Sequence, residues 1–395
     1  MERAELVELL TPEGLTLIDS VSETDATANV VGVVSRLRAD GHSPSLVAGV
    51  LTQARLRRKA VPKFGEFASR MLFTEAGLEQ ATRLRVAALH AGRFGAAGLS
   101  RVADLGCGIG GDAMAMAAMD LDVTAVDADE VTATVASYNL APFPTAEVRH
   151  ARAEDVDTSA FDGLYFDPAR RTSGHTNTTR LTRPEDYSPS LDVVFHRAET
   201  MPVGVKLGPG FDRSLIPADC EAQWVSVDGQ VVELGLWFGA LARPGVRRSA
   251  LVIDVDGTHE LAAAQDSDDV DVQPLGEYLY EPDGAVIRAR LIGDVARSLN
   301  AGMLSPGIAY LTGNEHVHTP FASAFRVLER FPLDERTLKR ELAQREIGTL
   351  EVKKRGADID PAVFRKKMAL RGSQSATLFL TRVDNKHAAL LCERV

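Results

Sequence analysis

The sequence predicts an α/β protein: a doubly wound, mostly parallel sheet, with an N-terminal helical region and a C-terminal α+β module. Three observations lead there. An apolar run, Val102-Ala103-Asp104-Leu105, breaks into four glycines within six residues (Gly106, Gly108, Gly110, Gly111), and helix formers follow from Ala113 to Met119. From residue 100 to about 253, strand-like and helix-like stretches alternate, as a sheet covered by helices on both faces requires. Residues 351–395 then carry ten Lys or Arg against five acids, in short helix and strand patterns of their own. At 395 residues the chain exceeds one hydrophobic core, and 45% hydrophobic residues suffice for several.

Residues 1–95 read as helices. Thr11-Pro12 and Ser43-Pro44 each set a capping hydroxyl before a proline at the first helical position. Asn29 to Leu37 keeps its apolar residues on one side, and a helix over roughly 44–58 ends in Arg55, Arg57, Arg58 and Lys59, with Lys63 just beyond. Cations there compensate the helix dipole or meet phosphate. Phe73 to Thr82 leads into a further helix directly upstream of the glycine loop, whose start is placed to approach a bound cofactor.

The strands expected in the second region, 96–253, are 101–105, 121–126, 147–150, 163–166, 203–207, 223–227, 234–238 and 249–253, the last two as an antiparallel pair. The third region, 254–300, is acidic: 251–300 holds eleven acids against three arginines, and 254–283 reads as a linker into a small module. Residues 285–299 read as one helix. In the fourth region, 301–395, Asp334 and Asp360-Pro361 open helices, and 376–381 with 388–391 form a hairpin around Asp384-Asn385-Lys386.

Composition excludes several classes. Cys107, Cys220 and Cys392 are far apart, and no histidines stand at zinc spacing, so reduced thiols and no structural metal are expected. Without a basic leader before an apolar core, or a run of about 18 apolar residues, a cytoplasmic protein is expected. The net charge of −11 argues against a wholly basic nucleic-acid binder, although the basic tail is hidden in that average.

Gly106-x-Gly108-x-x-Gly111, with Asp127 placed 21 residues after Gly106, fits a dinucleotide fingerprint and so a nicotinamide oxidoreductase. Asp104 weighs against that. A carboxylate two residues before the first glycine repels a pyrophosphate but attracts the ammonium of an aminoacyl-type cofactor. Asp-Leu-Gly-Cys-Gly-x-Gly-Gly-Asp resembles motif I of class I S-adenosylmethionine-dependent methyltransferases. Phe166-Asp167-Pro168-Ala169-Arg170 resembles a variant of the Asp-Pro-Pro-aromatic motif of amino-methyltransferases, with Ala169 and Arg170 replacing the second proline and the aromatic ring.

Over nearly its whole length the chain resembles a family of bacterial class I methyltransferases with a C-terminal THUMP-like domain. The supporting residues are Leu78-Glu79-Gln80-Ala81-Thr82, the glycine loop, Asp167 to Arg171, Tyr278 to Asp283, Ala309-Tyr310-Leu311-Thr312 and Val352 to Gly356. The resemblance implies a Rossmann-like class I fold, S-adenosylmethionine as cofactor, and structured RNA, tRNA or rRNA, as partner through the basic tail and the Arg170–Arg183 loop. It implies that Asp104, Gly106, Gly108 and Gly110 hold the methionine half, Asp127 the ribose, and Ala153-Glu154 the adenine, with Gln80 and Thr82 nearby. Asp167, Pro168 and Arg170 then serve the acceptor, a nucleobase amine. In the better-known RNA enzymes the THUMP domain precedes the catalytic domain; here it follows. A small-molecule methyltransferase and a non-catalytic RNA-binding protein are the alternatives. Cys107 and Cys220 read as inert fillers, Tyr187 as packing or as a platform for a flipped base, and Lys206 has no assigned role.

Overall fold

The computed structural model describes residues 2–21, 29–170 and 184–395. The chain forms two compact units, Met1–Leu207 with Leu236–Ala242, and Gly208–Gly235 with Arg243–Val395.

The first unit opens with helices α1 (Arg3–Leu9), α2 (Pro12–Ser20), α3 (Val30–Ala39) and α4 (Pro44–Phe64). The expected caps are present: Thr11, Asn29 and Ser43 side chains accept from Gly14, Gly32 and Leu46 N–H groups. Helix α4 runs past the expected end at residue 58, so Arg55, Arg57, Arg58 and Lys59 lie within the helix and not at its end. Arg55 and Lys59 both pair with Glu75, at 2.7 and 3.0 Å, while buried Arg57 donates to Met71 O and pairs with Asp19. Short α5 (Glu75–Gln80) and α6 (Leu84–Ala96) follow.

The sheet then builds in order: β1 (Arg101–Leu105), α7 (Gly111–Ala118), β2 (Asp122–Asp127), α8 (Glu130–Leu140), β3 (Ala146–His150), β4 (Gly163–Phe166), the small pair β5 (Ala169–Arg170) and β6 (Tyr187–Ser188), α9 (Leu191–Ala198) and β7 (Val203–Leu207). Its order is β7-β4-β1-β2-β3, all parallel. The strand order reverses between β1 and β4, so their carboxyl ends leave the crevice where ligands of such sheets bind.

The helical region is joined to this sheet by two amides. Leu72 and Phe73 are buried outside any helix or strand, so their peptide groups need partners. Gln53 of α4 donates to Phe73 O (2.8 Å) and accepts from Phe73 N (3.0 Å). Asn139 of α8 accepts from Leu72 N (2.8 Å) and donates to Leu72 O (3.0 Å) and to Ile109 O in the glycine loop (2.9 Å).

The second unit begins with β8 (Glu221–Val227) and shares β9 (Gln230–Phe238) with the first, which takes residues 236–238. β10 (Arg248–Ile253) lies between β8, parallel, and β11 (Thr258–Ala263), antiparallel. This replaces the expected pairing of 234–238 with 249–253, because Asp254 accepts from the Asp256 and Gly257 N–H groups and turns the chain straight back. The linker reading of 254–283 fails for the same residues. Its acids serve internal arginines: Glu260 pairs with Arg243, and Asp266 with Arg213 and Arg248.

Next come β12 (Tyr278–Pro282), α10 (Gly284–Ala289) and α11 (Ile292–Ser298), split where Arg290 turns left-handed at φ 61° rather than forming one helix. A seven-stranded sheet adds β13 (Gly302–Ser305), β14 (Ile308–Gly313), β15 (Ala322–Pro332), β16 (Ile347–Lys354), β17 (Gln374–Val383) and β18 (Lys386–Arg394), ordered β13-β14-β12-β15-β18-β17-β16. Helices α12 (Glu335–Gln344) and α13 (Pro361–Met368) bury Leu338, Leu342, Phe364 and Met368 against it. The expected hairpin forms, and its turn is the two residues Asp384 and Asn385, both at positive φ, with Lys386 already paired to Val383.

Replacing Asn139 by leucine keeps the volume but leaves three buried peptide groups without partners. Urea denaturation is expected to show a loss of about 2–5 kcal/mol; a loss below about 1 kcal/mol contradicts the assigned bracing.

Candidate active site

A cavity of about 360 Å³ opens at the carboxyl ends of β1, β2 and β4. Its wall brings together Gln80, Thr82, Gly106, Gly108, Asp127, Ala153, Glu154 and Asp167, all singled out in the sequence. The stretch before α6 reaches it as expected, through Thr74, Gly77 and Gln80 to Thr82. Asp104, Gly110 and Pro168 are not among its lining residues. Gly110 begins α7 in a left-handed conformation (φ 86°), where an added Cβ would press within 3.3 Å of Leu140, so it shapes the turn. Pro168 is buried behind Asp167. The backbone of Arg170 pairs with Tyr187; its side chain, and the basic loop up to Arg183, lie outside the described residues. Tyr187 is 3% exposed and packs inside, which leaves no face for a base.

The glycine loop is held by its own backbone. Gly106 and Cys107 N–H groups both donate to Val126 O, at 2.8 and 3.0 Å. Gly106 has φ 93°, and a Cβ there would stand 2.9 Å from Asp167 O, so only glycine lets the loop and the β4 turn approach. Asp127 Oδ2 accepts from Gly108 N (3.0 Å) and Oδ1 from Asp129 N (2.9 Å). Burial nevertheless raises its pKa above the ordinary carboxylate value.

Asp104 is 1% exposed, and neither carboxylate oxygen has a hydrogen-bond partner among the described residues. It is no solvated strand end. Burial, then the neighbouring charges of Asp112 and Asp167, push its pKa well up, against the pull of Lys206.

Sequence reasoning missed the groups packed around it. Thr82 Oγ1 donates to Asp112 Oδ2 (2.6 Å), and His90 Nδ1 lies 2.8 Å from Asp112 Oδ1 and 3.0 Å from the Tyr165 hydroxyl. Burial opposes the charge of Asp112, yet the His90 bond and charge, Lys206 and Thr82 hold its pKa below the ordinary value. Lys206 Nζ pairs with Asp167 Oδ2 at 2.5 Å and donates to Thr82 Oγ1 (3.1 Å) and Gln80 O (3.2 Å). Lys63 donates to the Leu78, Glu79 and Ala81 carbonyls at 2.7–2.8 Å, which fixes the end of α5. Burial and then Lys206 lower its pKa to about 8. Strand register brings Asp167 and Lys206 together: Phe166 pairs with Val205, which sets Asp167, just past β4, beside Lys206 in β7, and no local sequence pattern marks that pairing.

Cys107 and Cys220 are buried, and desolvation raises both thiols, Cys220 to about 12, as inert fillers require. Among the described residues no cluster of His, Cys, Asp and Glu suits a metal ion, and no helix is long and apolar enough to cross a membrane.

Because the pKa of Asp104 is raised on folding, its ionisation opposes folding, and the cost grows as pH rises from about 4. Asp104→Asn is expected to stabilise the ligand-free protein at pH 7.5 by on the order of 1 kcal/mol, with the gain vanishing toward pH 4. Urea midpoints across pH check this, and a destabilised or pH-independent variant contradicts it.

A model of the THUMP domain-like family matches residues 322–394, and one of a domain of unknown function matches residues 2–60. Two curated relatives from Mycobacterium tuberculosis, strains CDC 1551 and H37Rv, are described as uncharacterized S-adenosylmethionine-dependent methyltransferases. Each is 33% identical over 357 residues, covering 88% of this chain and 95% of the relative. A crystal structure of a candidate methyltransferase from Porphyromonas gingivalis W83 aligns with a TM-score of 0.73 at 19% identity, covering 100% of this chain and 98% of the other; it supports the fold. With that identity over nearly its full length, the chain belongs to a family of S-adenosylmethionine-dependent methyltransferases with a Rossmann-like catalytic fold and a C-terminal THUMP-like domain.

Proposed function

We propose that the enzyme methylates a nucleobase amine in RNA, with Asp167 receiving an N–H of the acceptor. The observation that carries this reading is the close approach of the glycine loop to the β4 turn: the Asp167 backbone meets Gly106, and Asp167 lines the same cavity as Gly106 and Gly108. The cavity fits S-adenosylmethionine. Asp104, an orphaned buried carboxylate, suits its ammonium, the bare backbone at Gly106 and Gly108 its methionine half, Asp127 its ribose, and Ala153 with Glu154 its adenine. When bound, it supplies an electrophilic methyl group.

The work of the protein is positioning. Asp167 accepts a hydrogen bond from the amine and aims its lone pair at the methyl carbon. The cofactor would supply the methyl group and keep the electron pair of its C–S bond, and the surplus proton on the methylated nitrogen would pass to water. No group of the protein is consumed.

RNA is supported by the THUMP-like match and by the exposed cations Lys354, Arg365 and Lys366 at the end of β16 and on α13, with Arg336 and Lys339 on α12. Lys353 and Lys367, also basic in the tail, are engaged by Glu281 and Glu335, at 2.6 and 2.7 Å, and are poorer candidates.

Tritium from labelled S-adenosylmethionine is expected to enter RNA from a strain lacking the protein. Asp167→Ala should reduce transfer by about 100-fold or more with S-adenosylhomocysteine binding nearly unchanged. Equal loss of both removes Asp167 from the acceptor side, and label confined to small molecules removes RNA. Charge reversal at Lys354 and Lys366 should weaken RNA binding and flatten its salt dependence; binding indifferent to both changes counts against the basic face.

A further inference from the structure

We infer that Lys206 is a positioning residue for methyl transfer, which holds the Asp167 carboxylate in the orientation that receives the acceptor N–H. The inference rests on the reading of Asp167 above. Lys206 leaves β7 beside Asp167 at the end of β4, in the strand register that brings those two positions together. Its side chain is only 11% exposed and is not part of the cavity wall. The three groups its ammonium touches do belong to residues of that wall: Asp167 Oδ2 at 2.5 Å, Thr82 Oγ1 at 3.1 Å and Gln80 O at 3.2 Å. Lys206 thus reaches the site through residues that line it.

Those groups come from different parts of the chain. Asp167 follows β4, Gln80 ends α5, and Thr82 lies in the link to α6. A single ammonium thus sets the distance between the carboxylate and the opposite wall. Behind Thr82 the brace continues into the rigid interior through Asp112, His90 and Tyr165, at 2.6, 2.8 and 3.0 Å. His90 and Tyr165 are clamped in turn by the Trp237 ring, with centroids 5.5 and 6.4 Å away.

Stability alone is a weak account of such a pair, since the desolvation of two charges commonly offsets their attraction. Direction is what it supplies. A carboxylate has about four lone-pair sites, so a lysine on one oxygen orients the group and leaves capacity for a substrate N–H.

The test is a double-mutant cycle on the full-length enzyme: wild type, K206M, D167N and the double variant, with K206R as the conservative replacement. Tritium transfer is measured into the RNA, protein and small-molecule fractions of an extract from a strain lacking the protein. S-adenosylhomocysteine binding is measured by calorimetry on each variant. K206M is expected to lower kcat by about 100-fold while the Kd for S-adenosylhomocysteine stays within about threefold. K206R should recover most of the rate, and K206M should add less than about threefold when D167N is already present.

An equal factor for K206M in both backgrounds, or a fall in affinity as large as the fall in rate, overturns the inference and leaves Lys206 as a brace of the cofactor wall. A D167N enzyme as fast as wild type overturns the reading of Asp167 and this inference with it. Label in a fraction other than RNA overturns the RNA reading alone, and the cycle is then read on that fraction.

Discussion

Three buried or half-buried carboxylates, Asp104, Asp112 and Asp167, are gathered about the ammonium of Lys206, and the remaining features of the site follow from how their charges are met. Asp112 has His90 and Thr82, and Asp167 has Lys206 itself. Asp104 is the one of the three whose oxygens have no hydrogen-bond partner among the described residues. Burial, and then nearby charges of the same sign, make its ionisation costly; on the proposed reading a cation at the glycine loop relieves that cost. A methionine-derived cofactor carries such a cation. On the proposed reading the protein stores an unfavourable interaction when empty and releases it on binding, one way in which functional sites give up stability.

The scaffold serves this cluster. Parallel strands end together at the reversal of strand order, so residues distant in sequence, 104, 167 and 206, arrive at one edge. Gly106 removes the Cβ that would push the β4 turn away. The helical region contributes more than a cover: α5 and the link to α6 supply Gln80 and Thr82 to the wall, and Lys63, Gln53 and Asn139 fix that segment through backbone groups. In the second unit, two of the acids that read as a linker, Glu260 and Asp266, pair with Arg243, Arg248 and Arg213 of the same unit. Charge density in a sequence does not reveal whether its partners lie in the same fold.

Much of the catalytic fold was legible because its signals are local. Glycine spacing, capping residues and alternating apolar runs report on the next few residues, and β1 to β4, β7, and the β17–β18 hairpin were placed from them, whereas the two-residue strands β5 and β6 were not. Asp104 and Asp167 were legible for the same reason, each lying inside a short motif. Lys206, His90, Tyr165 and Asp112 meet only through strand register and helix packing, which no local pattern encodes. The end of α4 was misread because charge was taken as a stop signal, whereas Arg57 is buried and bonded to Met71 O. Gly110 illustrates the reverse error. It belongs to the motif, but its left-handed backbone shapes the turn while its neighbours form the wall.

The claim on which this account turns is that the buried carboxylate of Asp104 meets the cofactor's ammonium. Calorimetry of S-adenosylhomocysteine binding by wild type and Asp104→Asn reads it directly. The variant is expected to bind about tenfold or more weakly. Equal affinity of the two proteins would contradict it.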